Sequence, residues 1–193
     1  MQHFSPKRYA EEESVSRFAI ELYFDDLTHA RICSIWNMLD RNGLTKILCP
    51  ARGFVPHISL AVAHELDPAQ IVPLVKTFAT QTKSIQVVLS HFGVFNNQDS
   101  TLWLGPNFST ELRSVHQKLW EVVSRTGVEW WKYYTPENWV PHCGLITNRP
   151  FEVVHQGFGL CSSIGLPIAG RLETITLVDF LDGTEFCLER LAE

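Results

Sequence analysis

The chain has 193 residues, of which 45% are hydrophobic and 19% are charged, and its formal net charge at pH 7 is −5. This length and apolar content fit a domain with a hydrophobic core and exclude a disordered or fibrous protein. The negative charge argues against a groove for long nucleic acid, whereas a small phosphorylated ligand held by a few local donors remains compatible with it.

The cysteines and the apolar runs indicate the cellular compartment of the protein. Five cysteines are scattered without a C-x-x-C pair, which indicates reduced thiols and not a disulfide framework. The first residues lack the apolar stretch of a secretory signal, and no apolar run approaches the roughly 18 residues of a membrane span. We therefore expect a cytoplasmic, soluble monomer without a membrane partner.

The periodicity of apolar residues predicts alternating strands and helices after a polar, acidic N-terminal arm at 1–16. The predicted elements of the first half are a strand at 18–24, a helix from Asp25 or Asp26 to Gly43, a strand from His57 to Val62, a helix from Asp67 to Phe78, and strands at 85–95 and 101–104. Those of the second half are a helix that Ser109 caps and Gly127 ends, a short strand from near His142, a helix at 150–162, and a hairpin of strands at 171–180 and 184–190.

The two halves repeat this order with an offset of 85 residues, the distance from His57 to His142. The repeat predicts one bilobal α+β domain over residues 17–193, with two antiparallel sheets and outer helices around a central cleft. A pseudo-twofold axis would relate the lobes, so that each presents its histidine to the shared cleft.

Two matching segments carry the candidate chemistry: Val55-Pro56-His57-Ile58-Ser59-Leu60 and Val140-Pro141-His142-Cys143-Gly144-Leu145. Residues i and i+2 of a strand point to the same face, so His57 projects with Ser59, and His142 projects with Gly144. One neutral imidazole can deprotonate a water or a ribose hydroxyl, and one protonated imidazole can donate to the leaving oxygen. A nearby hydroxyl can bind a phosphate oxygen, and this chemistry requires no metal ion or cofactor.

Paired His-x-Ser/Thr motifs in a chain of this length resemble the two-histidine (2H) phosphoesterase superfamily. The lead-in Trp139-Val140-Pro141-His142-Cys143 resembles the bacterial branch of RNA 2′–5′ ligases and cyclic phosphodiesterases. The resemblance implies that the substrate is a nucleotide or short RNA end with a 2′,3′-cyclic phosphate or a 2′–5′ linkage. It also implies that His57 and His142 are the acid–base pair and that Ser59 binds phosphate.

Gly144 departs from the family pattern, which has Ser or Thr at that place. Loss of one oxyanion donor costs on the order of 10²–10³ in rate elsewhere. Water could fill the gap, or the opening could admit a bulkier substrate. The alternative is a nucleotide-binding module with reduced or lost catalysis, and a third possibility is a structural protein whose paired motifs are coincidental.

Several other side chains are candidates for substrate binding. An aromatic segment precedes the second motif and could stack on a base or simply pack in the core. Arg52 and Lys132 could reach a phosphate or could be ordinary surface charges. The aromatic candidates are Trp130, Trp131, Tyr133, Tyr134 and Trp139, of which Tyr134 and Trp139 are nearest to His142 in sequence.

Overall fold

The structure, a computed structural model, describes residues 18–45, 54–96 and 99–193. The predicted arm at 1–16 and Arg52 lie outside the described residues. The described strands are β1 (Phe18–Phe24), β2 (His57–Ala63), β3 (Ile85–Phe95), β4 (Ser100–Pro106), β5 (Cys143–Arg149), β6 (Ile168–Asp179) and β7 (Thr184–Arg190). The described helices are α1 (Asp26–Arg41), α2 (Pro68–Gln81), α3 (Thr110–Val123) and α4 (Phe151–Cys161), together with a 3₁₀ helix at Lys132–Tyr134.

Capping side chains set the helix starts as the sequence predicts. Asp25, Asp67 and Ser109 precede α1, α2 and α3, and each accepts a backbone N–H from the first turn, which otherwise lacks a partner. After α1 the chain turns at Gly43, whose φ of +72° suits glycine. α3 already ends at Val123, so the predicted end at Gly127 is wrong. The carbonyl oxygen of Val123 accepts hydrogen bonds from the side chains of Thr126 and Trp130 instead of continuing the helix.

The described strands form one antiparallel sheet in the order β2-β1-β6-β3-β4-β5, with β7 paired to β6. The α+β class is confirmed, but the expectation of two separate sheets is wrong. The cause is the 12-residue strand β6, whose C-terminal part pairs with β1 and β7 while its N-terminal part pairs with β3. The proposed duplication and its pseudo-twofold axis remain predictions.

A hydrophobic core lies between the helices and one face of this sheet. Leu22, Ile58 and Leu60 of β1 and β2 pack there with buried side chains of the helices, such as Ile32 and Leu112. The alternate residues of the same strands are therefore left for the opposite face, where polar side chains collect. None of the helices in the described ranges is long and apolar enough to cross a bilayer.

The two ends of the strand order come together in space. β2 and β5 are the first and last strands of the path, yet they pack against each other. The sheet must therefore curl until its ends meet. This closure brings the two histidine motifs to one place.

Candidate active site

Both motif histidines are held by the same local hydrogen bond. Nδ1 of His57 lies 2.7 Å from the carbonyl oxygen of Val55, and Nδ1 of His142 lies 2.7 Å from that of Val140. Because a carbonyl oxygen only accepts, each Nδ1 carries a proton and donates it. In a neutral ring, Nε2 is then the nitrogen with a free lone pair.

Contacts between β2 and the chain around β5 join the two motifs. The backbone N–H of His57 donates to the thiol sulfur of Cys143, and Nε1 of Trp139 donates to the carbonyl oxygen of Ser59 at 2.9 Å. Burial, and to a smaller degree the charge of His57, lowers the pKa of His142. The two imidazoles are therefore close enough to interact electrostatically.

A buried acidic residue lies next to the first histidine. Oε1 of Glu21 is 3.3 Å from Nε2 of His57, and the Glu21 side chain is only 6% exposed. A β-bulge after Ile20 shifts the register of β1 against β2 and sets Glu21 directly opposite Ser59. Sequence reasoning missed this residue, although a single charge inside the otherwise apolar strand FAIELYF was a usable signal.

Ser59 and Tyr134, both predicted to bind substrate, lie together beside that carboxylate. The Ser59 hydroxyl and the Tyr134 phenol are hydrogen-bonded to each other. Burial, reinforced by the charge of Glu21, raises the pKa of Tyr134 to about 12, although the Ser59 hydrogen bond acts in the opposite direction. The phenol therefore stays neutral near pH 7 and keeps a proton to donate.

Aromatic rings surround the second histidine. The ring of Phe95 meets that of His142 edge-on, with centroids 4.9 Å apart, and the Trp103 ring lies 6.0 Å away. These rings displace water from the imidazole, and this desolvation is the main reason that the pKa of His142 is lowered. Neither ring was a sequence candidate, because β3 and β4 come near His142 only through long-range pairing.

Gly144 lies directly opposite Trp103 in the pairing of β4 with β5. A Cβ atom at Gly93 or Gly105 would collide with the Trp103 indole, so the indole lies against the backbone of β3 and β4. The carbonyl oxygen of Gly144 accepts a hydrogen bond from Nε1 of Trp36 at 2.9 Å. The position where the family pattern has a hydroxyl thus borders a large aromatic side chain.

Trp139 is a buried support of β2. Its indole is 5% exposed and stacks on the imidazole of His116, with centroids 3.9 Å apart and planes 4° from parallel. Nε2 of His116 donates to the carbonyl oxygens of Leu60 and Tyr134, at 3.1 and 3.0 Å. Burial lowers the pKa of His116 to about 4 despite these hydrogen bonds. Trp139 thus packs in the interior, where a base could not stack on it without rearrangement.

The remaining ligand candidates are residues of the aromatic segment, Lys132 and Arg52, of which Arg52 is outside the described residues. Lys132 is exposed, and its ammonium lies 5.3 Å from the ring centroid of the exposed Tyr133. Trp130 is buried and donates to the last carbonyl of α3, while the backbone N–H of Trp131 donates to β2. The described ranges contain no group of three or more His, Cys, Asp or Glu side chains that could hold a metal ion.

The site as a whole can transfer protons and bind an anion. It offers two imidazoles, one whose Nε2 lies 3.3 Å from a carboxylate and one that lies among aromatic rings. Ser59 and Tyr134 add hydroxyl groups next to the first imidazole. Burial raises the pKa of Cys143 to about 12, so this thiol is not a nucleophile near neutral pH.

Comparison with known proteins places this arrangement in a family. The family model described as the 2′-5′ RNA ligase superfamily matches residues 41–182. No curated protein is similar enough to the chain to be matched with it.

Solved structures share the fold at low sequence identity. E. coli LigT complexed with 3′-AMP superposes with a TM-score of 0.62 at 14% identity, covering 92% of this chain and 99% of that one. E. coli LigT complexed with NADP+ gives 0.60 at 14% identity, covering 92% and 98%. A crystal structure described as a phosphoesterase gives 0.57 at 16% identity, covering 92% and 99%. Since the family model covers most of the chain, the protein belongs to the 2′-5′ RNA ligase superfamily, the two-histidine phosphoesterases.

Proposed function

We propose that the protein is a metal-independent phosphodiesterase that hydrolyses 2′,3′-cyclic phosphates or 2′–5′ linkages in nucleotides or short RNA ends. One observation carries the proposal. His57 and His142 each donate from Nδ1 to the carbonyl two residues before them, and the two rings lie close together in contrasting surroundings. Such a pair supplies a proton acceptor and a proton donor in one site near neutral pH.

The surroundings favour His142 as the base and His57 as the acid. Burial lowers the pKa of His142, so its Nε2 is unprotonated near pH 7. Oε1 of Glu21 lies 3.3 Å from Nε2 of His57, so a proton on that nitrogen faces an acceptor within the protein.

In this mechanism, Nε2 of His142 takes a proton from a water molecule while the water oxygen attacks phosphorus. The bond from phosphorus to one ribose oxygen breaks, and that oxygen takes a proton from Nε2 of His57. The products are a phosphomonoester and a free ribose hydroxyl. Solvent then restores the two starting protonation states. Ser59 and Tyr134 would donate to the phosphate oxygens as negative charge develops on them.

The substrate class follows from the family and from the ligands of its relatives. E. coli LigT has been crystallised with 3′-AMP and with NADP+, and both ligands contain a ribose that bears phosphate. From these ligands and the family we propose a nucleotide or RNA end as the substrate of this chain. All four cysteines in the described ranges are free thiols, which is compatible with the reducing cytoplasm as the proposed location.

A product assay with EDTA present tests the proposal. The substrates are 2′,3′-cyclic nucleotides, 2′–5′ oligonucleotides and, as a comparison, 3′–5′ cyclic nucleotides, with phosphate products separated by chromatography. Replacement of either histidine, His57→Ala or His142→Ala, should lower kcat by about 10²–10⁴-fold, the usual contribution of general acid–base catalysis. Turnover that survives both substitutions, or that EDTA abolishes, would refute the mechanism.

Gly144 supports a second candidate, a nucleotide-binding module of the same fold. The second motif lacks its hydroxyl, and Trp103 borders the vacant position. This candidate predicts a thermal shift with 3′-AMP or 2′,3′-cyclic AMP but no turnover of any substrate in the panel.

A further inference from the structure

Glu21 is a charged residue in a place that normally excludes charge. It lies in the middle of β1, between core residues such as Ile20 and Leu22, and its side chain is 6% exposed. Burial of an unpaired carboxylate costs several kcal/mol, so a carboxylate kept at such a position needs a partner. The partner is Nε2 of His57, 3.3 Å away.

The hydrogen bonds around this pair determine where its protons are. Nδ1 of His57 donates to the carbonyl of Val55, so that nitrogen keeps its proton throughout. Nε2 and Oε1 of Glu21 can face each other at 3.3 Å without repulsion only when one of them carries a further proton. Burial raises the pKa of Glu21, and the charge of His57 opposes this increase.

Titratable groups face the pair from each neighbouring element. From β1 and the 3₁₀ helix come the phenols of Tyr23 and Tyr134, whose pKa values are raised above their ordinary range, mainly by burial. From β5 comes the thiol of Cys143, also kept protonated by burial. From β7 comes Glu185, an exposed carboxylate whose Oε1 accepts a hydrogen bond from the Tyr23 hydroxyl at 2.9 Å. Its charge raises the pKa of Glu21 further.

The other histidine has different neighbours. No ion pair among the described residues joins His142 to a carboxylate, and its ring contacts are with Phe95 and Trp103. The charge of His57 lowers the pKa of His142 in addition to the larger effect of burial. The buried carboxylate is therefore specific to the first motif.

We propose that Glu21 is a positioning residue for His57, which fixes the orientation of the ring and holds the proton at Nε2 until the leaving oxygen takes it. The contact of 3.3 Å is longer than a strong charge-assisted hydrogen bond of about 2.8 Å, so the proton remains available for transfer. This inference rests on the proposed two-histidine phosphodiesterase chemistry. It adds to that chemistry a buried acidic residue that neither histidine motif contains.

Glu21→Gln tests the proposal because it keeps the side-chain shape and removes the charge. Glu185→Gln is the matched control, since it removes a neighbouring carboxylate that contacts Tyr23. With 2′,3′-cyclic AMP as substrate, Glu21→Gln should lower kcat by about 10- to 100-fold, a part of the general-acid contribution, with little change in KM. The alkaline limb of its pH–rate profile should move to lower pH, because the imidazolium loses the anion that stabilises it. Glu185→Gln should stay within about twofold of the wild type, as expected for an exposed, screened charge.

A second measurement does not depend on turnover. The ¹⁵N chemical shifts of the His57 ring report directly on the proton at Nε2. In Glu21→Gln that proton should be lost at lower pH than in the wild type, whereas Glu185→Gln should cause a much smaller change, because that carboxylate is exposed and has the smallest effect on the pKa of Glu21. A wild-type chain that hydrolyses no substrate in the panel would refute the proposed function, while this titration would still decide whether Glu21 holds the proton.

Two results would overturn the inference. One is a Glu21→Gln titration of the His57 ring that matches the wild type. The other is a loss of kcat that is equal at every pH and accompanied by a lower Tm, which would show that Glu21 only supports the packing of β1.

Discussion

Two residues after its histidine, each motif has a backbone carbonyl that accepts a hydrogen bond from a buried indole. These carbonyls belong to Ser59 of β2 and Gly144 of β5. Ser59 accepts from Trp139 and Gly144 accepts from Trp36, both at 2.9 Å. The two histidines likewise donate from Nδ1 to the carbonyl two residues before them, both at 2.7 Å. The backbone around the two imidazoles is therefore held in the same way.

The side chains around the two imidazoles are different. His57 lies beside the carboxylate of Glu21, near a hydroxyl and a phenol. His142 lies among the rings of Phe95 and Trp103, and burial lowers its pKa. The comparison teaches that one backbone arrangement can place two imidazoles in different electrostatic surroundings when the neighbouring strands supply different side chains.

The largest effect on kcat in this comparison is expected when the hydroxyl of the first motif is removed. Because Gly144 supplies none, Ser59 is the only hydroxyl at the third position of either motif. Ser59→Ala should therefore lower kcat by about 10²–10³-fold, the cost of losing one oxyanion donor. Steady-state kinetics with a 2′,3′-cyclic nucleotide measures it, and Ser59→Thr should restore most of the rate. A Ser59→Ala enzyme within about threefold of the wild type would contradict the assignment.

The next effect concerns the stability of the support behind the first motif. The pKa of His116 is about 4 in the folded protein and about 6.5 in an unfolded chain. Above pH 6.5 both states are neutral. Between pH 6.5 and 4 only the unfolded state binds the proton, so stability should fall by on the order of 3 kcal/mol over this window and level off below it.

Urea denaturation at a series of pH values measures this decrease. His116→Gln should remove much of the decrease between pH 6.5 and 4. His155→Gln, at an exposed position on α4, is the control and should keep it. An unchanged decrease in His116→Gln would show that other groups cause it.

A smaller effect, on the pH dependence of kcat, is expected when an aromatic ring beside the second histidine is removed. Phe95→Ala should let water reach the imidazole of His142 and raise its pKa toward 6.5. A base that is protonated more readily stops working at higher pH, so the acidic limb of the kcat profile should move up by less than about one unit. Phe92→Ala is the control, since Phe92 packs against Phe158 of α4. A limb that moves equally in both variants would rule out this role for Phe95.

The smallest effect is predicted for restoring the missing hydroxyl. Trp103 lies directly opposite Gly144 in the pairing of β4 with β5, so a side chain added there would be a cross-strand neighbour of the indole. Gly144→Thr should therefore give no gain in kcat and a lower Tm. A large gain in rate would instead indicate an enzyme that lost its second hydroxyl, and would support the binding-module candidate for the present chain.

The order of strands and helices could be predicted because it depends on local patterns. Alternation from Phe18 to Phe24, and the caps Asp25, Asp67 and Ser109, are set by interactions within a few residues. The two-residue period of a strand also predicts that His57 and Ser59 point to the same face of β2. The merging of the strands into one sheet could not be predicted, because it depends on which partners the long strand β6 finds along its length.

The candidate site likewise has features that the sequence predicts and features that only the tertiary structure sets. The sequence by itself determined the two His-containing motifs and the missing hydroxyl at Gly144, since these are properties of neighbouring residues. Only the tertiary structure decided that Glu21 contacts His57 and that Phe95 borders His142. A β-bulge places Glu21, and the curling of the sheet brings β2 to β5. The physical reason is that register and closure arise from pairing between distant segments, while local propensity acts only over a few residues.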